Sequence, residues 1–297
     1  MVPSWRDQAR GNSGSRDDRL TFSCQCHLGE QLPINGHLTI SRCFMGTNTV
    51  NLLNKVPEVT LTFWLIKMMS TTVGETAADF LIFNLHLGLT VTSLLMGVLL
   101  IVTLLIQVRA TGYAPWKYWL AVVLVSIFGT LVTDNLTDQV GVPLAISTSV
   151  FTVVLLATFR VWYAQEKTLS IRSIDTRKRE LFYWAAILVT FALGTAAGDW
   201  VSEGLNMGYM NATLLFGSLI AVIAIAHYWF RMNTVLAFWI VYVLTRPLGA
   251  SIGDWLSQSE KHGGLGFGVT STSLVFFACI IMLVIYQSLP QRMPKGG

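Results

Sequence analysis

From Val59 onward the sequence falls into eight apolar runs of about 20 residues, each long enough to carry a helix across the hydrocarbon of a bilayer. The runs are approximately Val59–Phe83, Leu87–Val108, Trp116–Thr137, Val142–Tyr163, Leu181–Val201, Met210–Phe230, Val235–Leu256 and Val269–Leu289. A membrane β-barrel would instead need segments of about ten residues alternating apolar and polar, and none is visible. Only helices and closed barrels satisfy their own backbone groups in lipid, so the fold class is all-α: a polytopic membrane protein with eight transmembrane helices. Composition agrees, with 53% hydrophobic and 12% charged residues against about 25% charged in soluble proteins.

The loops orient the chain. Segments after the even runs, with the C-terminus, hold Arg109, Lys117, Arg160, Lys167, Arg172, Arg177, Lys178, Arg179, Arg231, Arg292 and Lys295, whereas those after the odd runs hold Lys261 alone. The positive-inside rule then places both termini in the cytoplasm. The net charge of +4 reflects that bias and gives no reason to invoke nucleic acid; the expected partner is the lipid bilayer.

Residues 1–50 differ in composition, rich in Gly, Ser, Arg and Asp, and read as a disordered cytoplasmic tail without a signal peptide. Cys24, Cys26 and Cys43 lie there beside His27 and His37, but their spacing matches none of the common zinc frameworks. Residues 51–168 form a first membrane half, 169–180 a basic cytoplasmic linker, 181–290 a second half and 291–297 a cytoplasmic tail.

Overlaying the odd runs exposes a repeat. They read FWLIKMMSTTVGETAADFL from Phe63, YWLAVVLVSIFGTLVTDNL from Tyr118, YWAAILVTFALGTAAGDWV from Tyr183 and FWIVYVLTRPLGASIGDWL from Phe238. All fit aromatic-Trp-x9-Gly-x3-small-Asp, and the tryptophans are spaced by 55, 65 and 55 residues, as in a two-hairpin half that was itself duplicated. The architecture expected is four repeated helical hairpins.

Each motif position has a physical reading. Trp64, Trp119, Trp184 and Trp239 sit where interfacial anchors belong. Gly74, Gly129, Gly194 and Gly249 are followed four residues later by Ala78, Thr133, Gly198 and Gly253, the spacing that lets membrane helices pack backbone to backbone, so the odd helices are expected to pack around a common axis. Asp79, Asp134, Asp199 and Asp254 come fifteen residues after the tryptophans, about 22 Å along the helix. Asp138 and Glu203 follow two of them by one helical turn, so that the acids together would form a negative external vestibule. These aspartates suit two roles, holding a symmetric bundle together or marking an ion or proton pathway.

Three charges break the symmetry: Lys67 and Glu75 in the first repeat and Arg246 in the fourth. Glu75 lies about 16 Å in, near the midplane, and is the preferred single functional residue as a lone carboxylate at that depth. Lys67 and Arg246 could neutralise buried acids or bind an anionic substrate, and Pro247 frees a backbone carbonyl beside Arg246. The even helices, nearly free of charge, should form the outer, lipid-contacting layer. Their hydroxyl groups suit interhelical hydrogen bonds better than ion ligation.

At these four helices, and especially at KVPEVTLTFWLIKMMSTTVGETAADF from Lys55, the chain resembles a prokaryotic family of membrane-anchored proteins built from a two-helix repeat of unknown function, over about residues 52–290. The resemblance implies an integral protein of the bacterial plasma membrane and carries no established activity. The N-terminal tail departs from it, since such a chain is expected to begin near Met45.

Buried carboxylates suit a secondary transporter or exchanger of a small cation, with proton coupling, because hard cations take oxygen ligands and carboxylates exchange protons. The metal is left unspecified, and no cofactor is expected. An enzyme is not expected either, because His86, His227 and His262 form no metal motif and no nucleophile elbow is present. A non-transporting scaffold or sensor with structural carboxylates is the competing reading.

Overall fold

The structure, a computed structural model, describes residues 54–289. The expectations for the tail, its cysteines and histidines, Met45 and the last residues lie outside the described residues. Within them the chain is all-helical, without strands: α1 (Leu61–Asp79), α2 (Gly88–Arg109), α3 (Pro115–Asp134), α4 (Leu144–Glu166), α5 (Arg177–Asp199), α6 (Tyr209–Trp229), α7 (Thr234–Ser257) and α8 (Val269–Ser288).

Start signals agree with the sequence. Thr60 and Thr176 accept from backbone N–H groups in the first turns of α1 and α5, Asn233 does the same for α7, and α3 begins on Pro115. Immediately after Asp79, Asp134 and Asp199 the helix widens into a π turn, Phe80–Asn84, Asn135–Gln139 and Trp200–Gly204. Asp254 instead lies inside α7, which carries Pro247 in its interior.

Seven of these helices, all but α1, are long and apolar enough to cross a membrane. The chain is built as a multi-pass membrane protein. Its outer face is a wall of exposed side chains such as Leu94, Val98, Ile101, Val153, Leu156, Val222 and Leu274, a surface that suits lipid. No more than 17% of the spanning windows of α2, α4, α6 and α8 is buried, against 50–67% for α3, α5 and α7. The even helices therefore form the outer layer, as expected.

The inner helices close into a ring in which α1 packs on α3, α3 on α5, α5 on α7 and α7 back on α1. Each outer helix packs chiefly on the inner helix of the following repeat: α2 on α3, α4 on α5, α6 on α7, and α8 on α1. The packed pair is thus offset by one helix from the sequence repeat. Side-chain bridges follow the same offset. Asn135 donates to Ser93 at 2.7 Å, Gln139 to Thr90 at 3.0 Å and Ser273 to Thr76 at 2.7 Å. The other hydroxyls of the outer helices mostly cap their own helix, as Thr92 does on the Gly88 carbonyl.

The motif glycines make the ring possible. A Cβ on Gly74 would overlap Ser126, on Gly129 it would meet Phe191, on Gly194 Arg246, and on Gly249 Thr71. Each of those neighbours stands three residues before the glycine of the next repeat, so one contact recurs four times around a pseudo-fourfold axis. Gly198 and Gly253 pack more loosely, with nearest atoms at 3.5 Å and 3.4 Å.

The tryptophans are corrected. Trp119, Trp184 and Trp239 turn inward and are buried inside the bundle, and Trp64 is half-buried. They pack into an aromatic plug with Phe63, Tyr118, Tyr183 and Phe238, where Phe63 meets Trp119 at 5.6 Å and the Tyr118 and Tyr183 hydroxyls share a hydrogen bond of 2.5 Å. Close packing at the end of the ring, where four helices converge, takes up rings that a lipid interface would otherwise hold.

Gly129→Val should lower stability by about 1–3 kcal/mol, because even its Cβ would stand 2.7 Å from Phe191 Cβ and 3.1 Å from the Phe191 backbone. Gly217→Ala on α6, whose Cβ would meet only Leu248 Cδ1 at 3.9 Å, should leave melting unchanged. Thermal unfolding of the purified chain in detergent checks both.

Candidate functional site along the pseudo-fourfold axis

A residue every four positions of a helix returns to nearly the same face. Counting in fours from the motif aromatics gives Phe63, Lys67, Thr71, Glu75 and Asp79 on α1, and Tyr118, Val122, Ser126, Thr130 and Asp134 on α3. The same count gives Tyr183, Ile187, Phe191, Thr195 and Asp199 on α5, and Phe238, Tyr242, Arg246, Ala250 and Asp254 on α7. Every residue in the first four layers is buried. The fifth, aspartate layer is the one that begins to open: Asp79, Asp134 and Asp199 are half-buried and Asp254 is 8% exposed. The axis is a stack of five layers, sealed by aromatics at one end and lined by acids at the other.

Arg246 occupies the centre. It is fully buried, and its guanidinium donates to the Thr71 carbonyl at 3.1 Å, to Glu75 Oε2 at 2.8 Å, to Thr195 Oγ1 at 2.7 Å and to Thr130 Oγ1. Glu75 also accepts from the Thr130 hydroxyl, at 3.2 Å. Glu75, Thr130 and Thr195 are the residues that follow the motif glycine in the first three repeats, so one arginine is held by equivalent positions of all three other inner helices.

Glu75 is therefore not a lone carboxylate. Besides its ion pair with Arg246, it lies in a cluster with Asp199 and Asp254 in which carboxylate oxygens from the three residues lie within 4.8 Å of one another. Asp79 and Asp134 occupy the same layer as the two aspartates but stand outside that trio. Asp138 and Glu203 are not drawn in: both are exposed, and Glu203 accepts from Tyr209 at 2.9 Å. Lys67 forms no ion pair among the described residues; it sits over the rings of Tyr242 at 4.0 Å and Phe191 at 4.7 Å.

Sequence reasoning did not single out Thr130, Thr195 and the Thr71 carbonyl. The signal that could have found them is the four-residue stripe itself, because the glycine and the residue after it mark the same level in every repeat.

A family model described as Repeat of Unknown Function (DUF347) matches the chain four times, at residues 62–113, 117–168, 182–233 and 237–293. The chain belongs to this family. Each DUF347 repeat begins one residue before its axial aromatic, so each supplies most of one inner helix and one residue to every layer. Among the charges within the column below the aspartates, two come from the first DUF347 repeat and one from the fourth, which adjoin across the α1–α7 contact. No curated protein and no solved structure matches the chain.

Arg246→Met should cost about 3–5 kcal/mol, since it strands the buried Glu75 carboxylate. Adding Glu75→Gln to it should recover much of the loss, because the pair is then removed together. Melting temperatures of the two single variants and the double variant close the cycle.

Proposed function

We propose that the chain is a secondary transporter or exchanger of a small cation in the bacterial plasma membrane, with protons as the coupling ion. The observation that carries this reading is the convergence of Glu75, Asp199 and Asp254, from three inner helices, to within 4.8 Å. Three ionised carboxylates against the single guanidinium of Arg246 would leave two negative charges uncompensated in a setting of low dielectric. A bound divalent cation or two protons would balance them, and exchange of one for the other is the elementary step of an antiporter.

The ligand chemistry supports a hard cation. All three groups offer oxygen, which suits manganese, magnesium or calcium, and Cys279, the one cysteine among the described residues, lies on the outer helix α8. Entry would be from the aspartate layer, where exposure begins, while the aromatic plug closes the other end. Binding and translocation, rather than catalysis, is the proposed work of these side chains.

In this reading all eight helices cross the membrane, as four two-helix repeats in two duplicated halves. The basic loops and both termini lie in the cytoplasm and the acidic end outside. α1 crosses despite its three charges because α3, α7 and α8 enclose it.

One observation favours the scaffold reading instead. Arg246 is hydrogen-bonded to groups on every other inner helix, so the buried charge also rivets the ring.

Flux of manganese and magnesium into proteoliposomes under a pH gradient separates the two. Transport predicts metal uptake coupled to proton movement, and its fall by at least about tenfold in Glu75→Gln and Asp199→Asn variants that remain folded, a loss of about 1.4 kcal/mol or more in the rate-limiting step. Unchanged flux in both variants sinks the transport proposal. A scaffold predicts no flux in the parent chain and a loss of yield and melting temperature in the variants.

A further inference from the structure

At the aromatic end of the bundle a groove of about 840 Å³ runs along α7, between α1, α6 and the loop that joins α4 to α5. On α6 it is bordered by Ile220, Ile223, Ala224 and His227, whose three- and four-residue spacing marks one helix face. Trp64 and Met68 border it on α1, and Val241, Thr245 and Leu248 on α7, which packs on both of the other helices. Trp64, Met68, Ile223, Val241 and Leu248 are all half-buried, so the groove is open from outside. Along α7 it extends from Thr234 to Leu248, about 21 Å at 1.5 Å per residue. That is the depth of one leaflet, half of the about 40–45 Å that a bilayer spans with its headgroups.

The end beside Thr234 has the marks of a membrane interface. There Tyr228, Trp229 and Phe230 close α6 with 80%, 79% and 79% of their surfaces exposed, an aromatic belt that the motif tryptophans do not supply. Arg172 is the one Asp, Glu, Lys or Arg among the described residues that border the groove. Its loop is fixed: the Leu169 carbonyl accepts from Trp239 Nε1 at 2.9 Å, Ile171 and Ile174 are buried, and the Ser170 hydroxyl accepts from the Arg172 N–H at 3.3 Å. The nearby acids Glu166 and Asp175 are engaged by Lys178 and Arg179, whereas Arg172 is exposed and has no ion pair among the described residues. An apolar slot one leaflet deep, headed by an unpaired guanidinium, is complementary to an anionic amphiphile.

We propose that this groove binds one anionic phospholipid, its phosphate on Arg172 and an acyl chain laid along α7 toward Leu248. Arginine suits the headgroup because its planar fork can donate two parallel hydrogen bonds to phosphate oxygens. The chain would lie among side chains of three helices, unlike lipid against the outer faces of α2, α4 and α8. It would join helices of the first, third and fourth repeats. Its inner end reaches Thr245, whose carbonyl accepts from the Thr71 hydroxyl across the α1–α7 seam that carries Glu75 and Arg246. The lipid therefore backs the charged seam from outside. The site is separate from the carboxylate cluster and does not depend on the transport reading.

The test uses the full chain in detergent, free of metal, with phosphatidylglycerol, phosphatidylcholine or inorganic phosphate as the probe. The melting temperature should rise and saturate with phosphatidylglycerol, as ligand linkage requires, and inorganic phosphate should leave it unchanged. Arg172→Gln should raise the half-saturating phosphatidylglycerol concentration about fivefold, the worth of one basic side chain near an anionic headgroup, and remove the preference over phosphatidylcholine. Ala224→Phe, which fills the slot without touching charge, should weaken both lipids. Phosphatidylglycerol with a photoreactive group near the end of an acyl chain should label Val241, Thr245 or Leu248 of the parent chain. Equal response to the two lipids, an Arg172→Gln variant that keeps the full response, a rise with phosphate alone, or labels confined to α2, α4 and α8 overturns the proposal. If Arg172→Gln does not fold, labelling of the parent chain decides it. Because no metal or gradient is present, failure here and failure of the flux experiment are separate results.

Discussion

Everything on the axis depends on the inner helices touching through glycine. Without Cβ atoms at Gly74, Gly129, Gly194 and Gly249, the neighbouring side chain three residues before the next glycine has somewhere to go, and four backbones come close enough for one residue per helix to meet its counterparts. A side chain as long as arginine can then reach carbonyl, carboxylate and hydroxyl groups on three other helices at once. In hydrocarbon, where helix association rests on van der Waals packing and hydrogen bonds rather than on expulsion of water, that closeness is the stabilising term and the means of assembling a polar column.

The column is also why symmetry and function divide along the chain. The aromatic plug and the aspartate layer are repeated fourfold, one residue from each inner helix. Between them the symmetry is broken by Lys67, Glu75 and Arg246, all contributed by two adjoining helices, while α3 and α5 supply only neutral Val122, Ser126, Thr130, Ile187, Phe191 and Thr195 to the same layers. Such a division suits a duplicated scaffold in which one seam has taken on charge.

Much of this was legible from the chain alone. Eight apolar runs and a strict aromatic-Trp-x9-Gly-x3-small-Asp register reveal the helices, the inner and outer layers and the close approach, because each of those follows from local periodicity. Charges that break the pattern likewise point to Lys67, Glu75 and Arg246. What periodicity cannot supply is which helix lies beside which. The pairing of Glu75 with Arg246, separated by 171 positions, the exclusion of Asp138 and Glu203, and the burial of the tryptophans all depend on ring closure. So does the offset by which an outer helix serves the next repeat, since a repeat unit in sequence says where similarity recurs and not where contacts fall.

That offset has a consequence for how the chain is made. Because α8 completes the packing of α1, and α7 closes the ring against it, the first of the eight described helices is the last to gain its full set of neighbours. α1 is also the helix that brings Lys67, Glu75 and Asp79 into the bundle, and the Arg246 that answers Glu75 is synthesised only after five more helices. Until α7 and α8 are in place, that polar segment has only α3 to shelter it, and their arrival draws the circle shut.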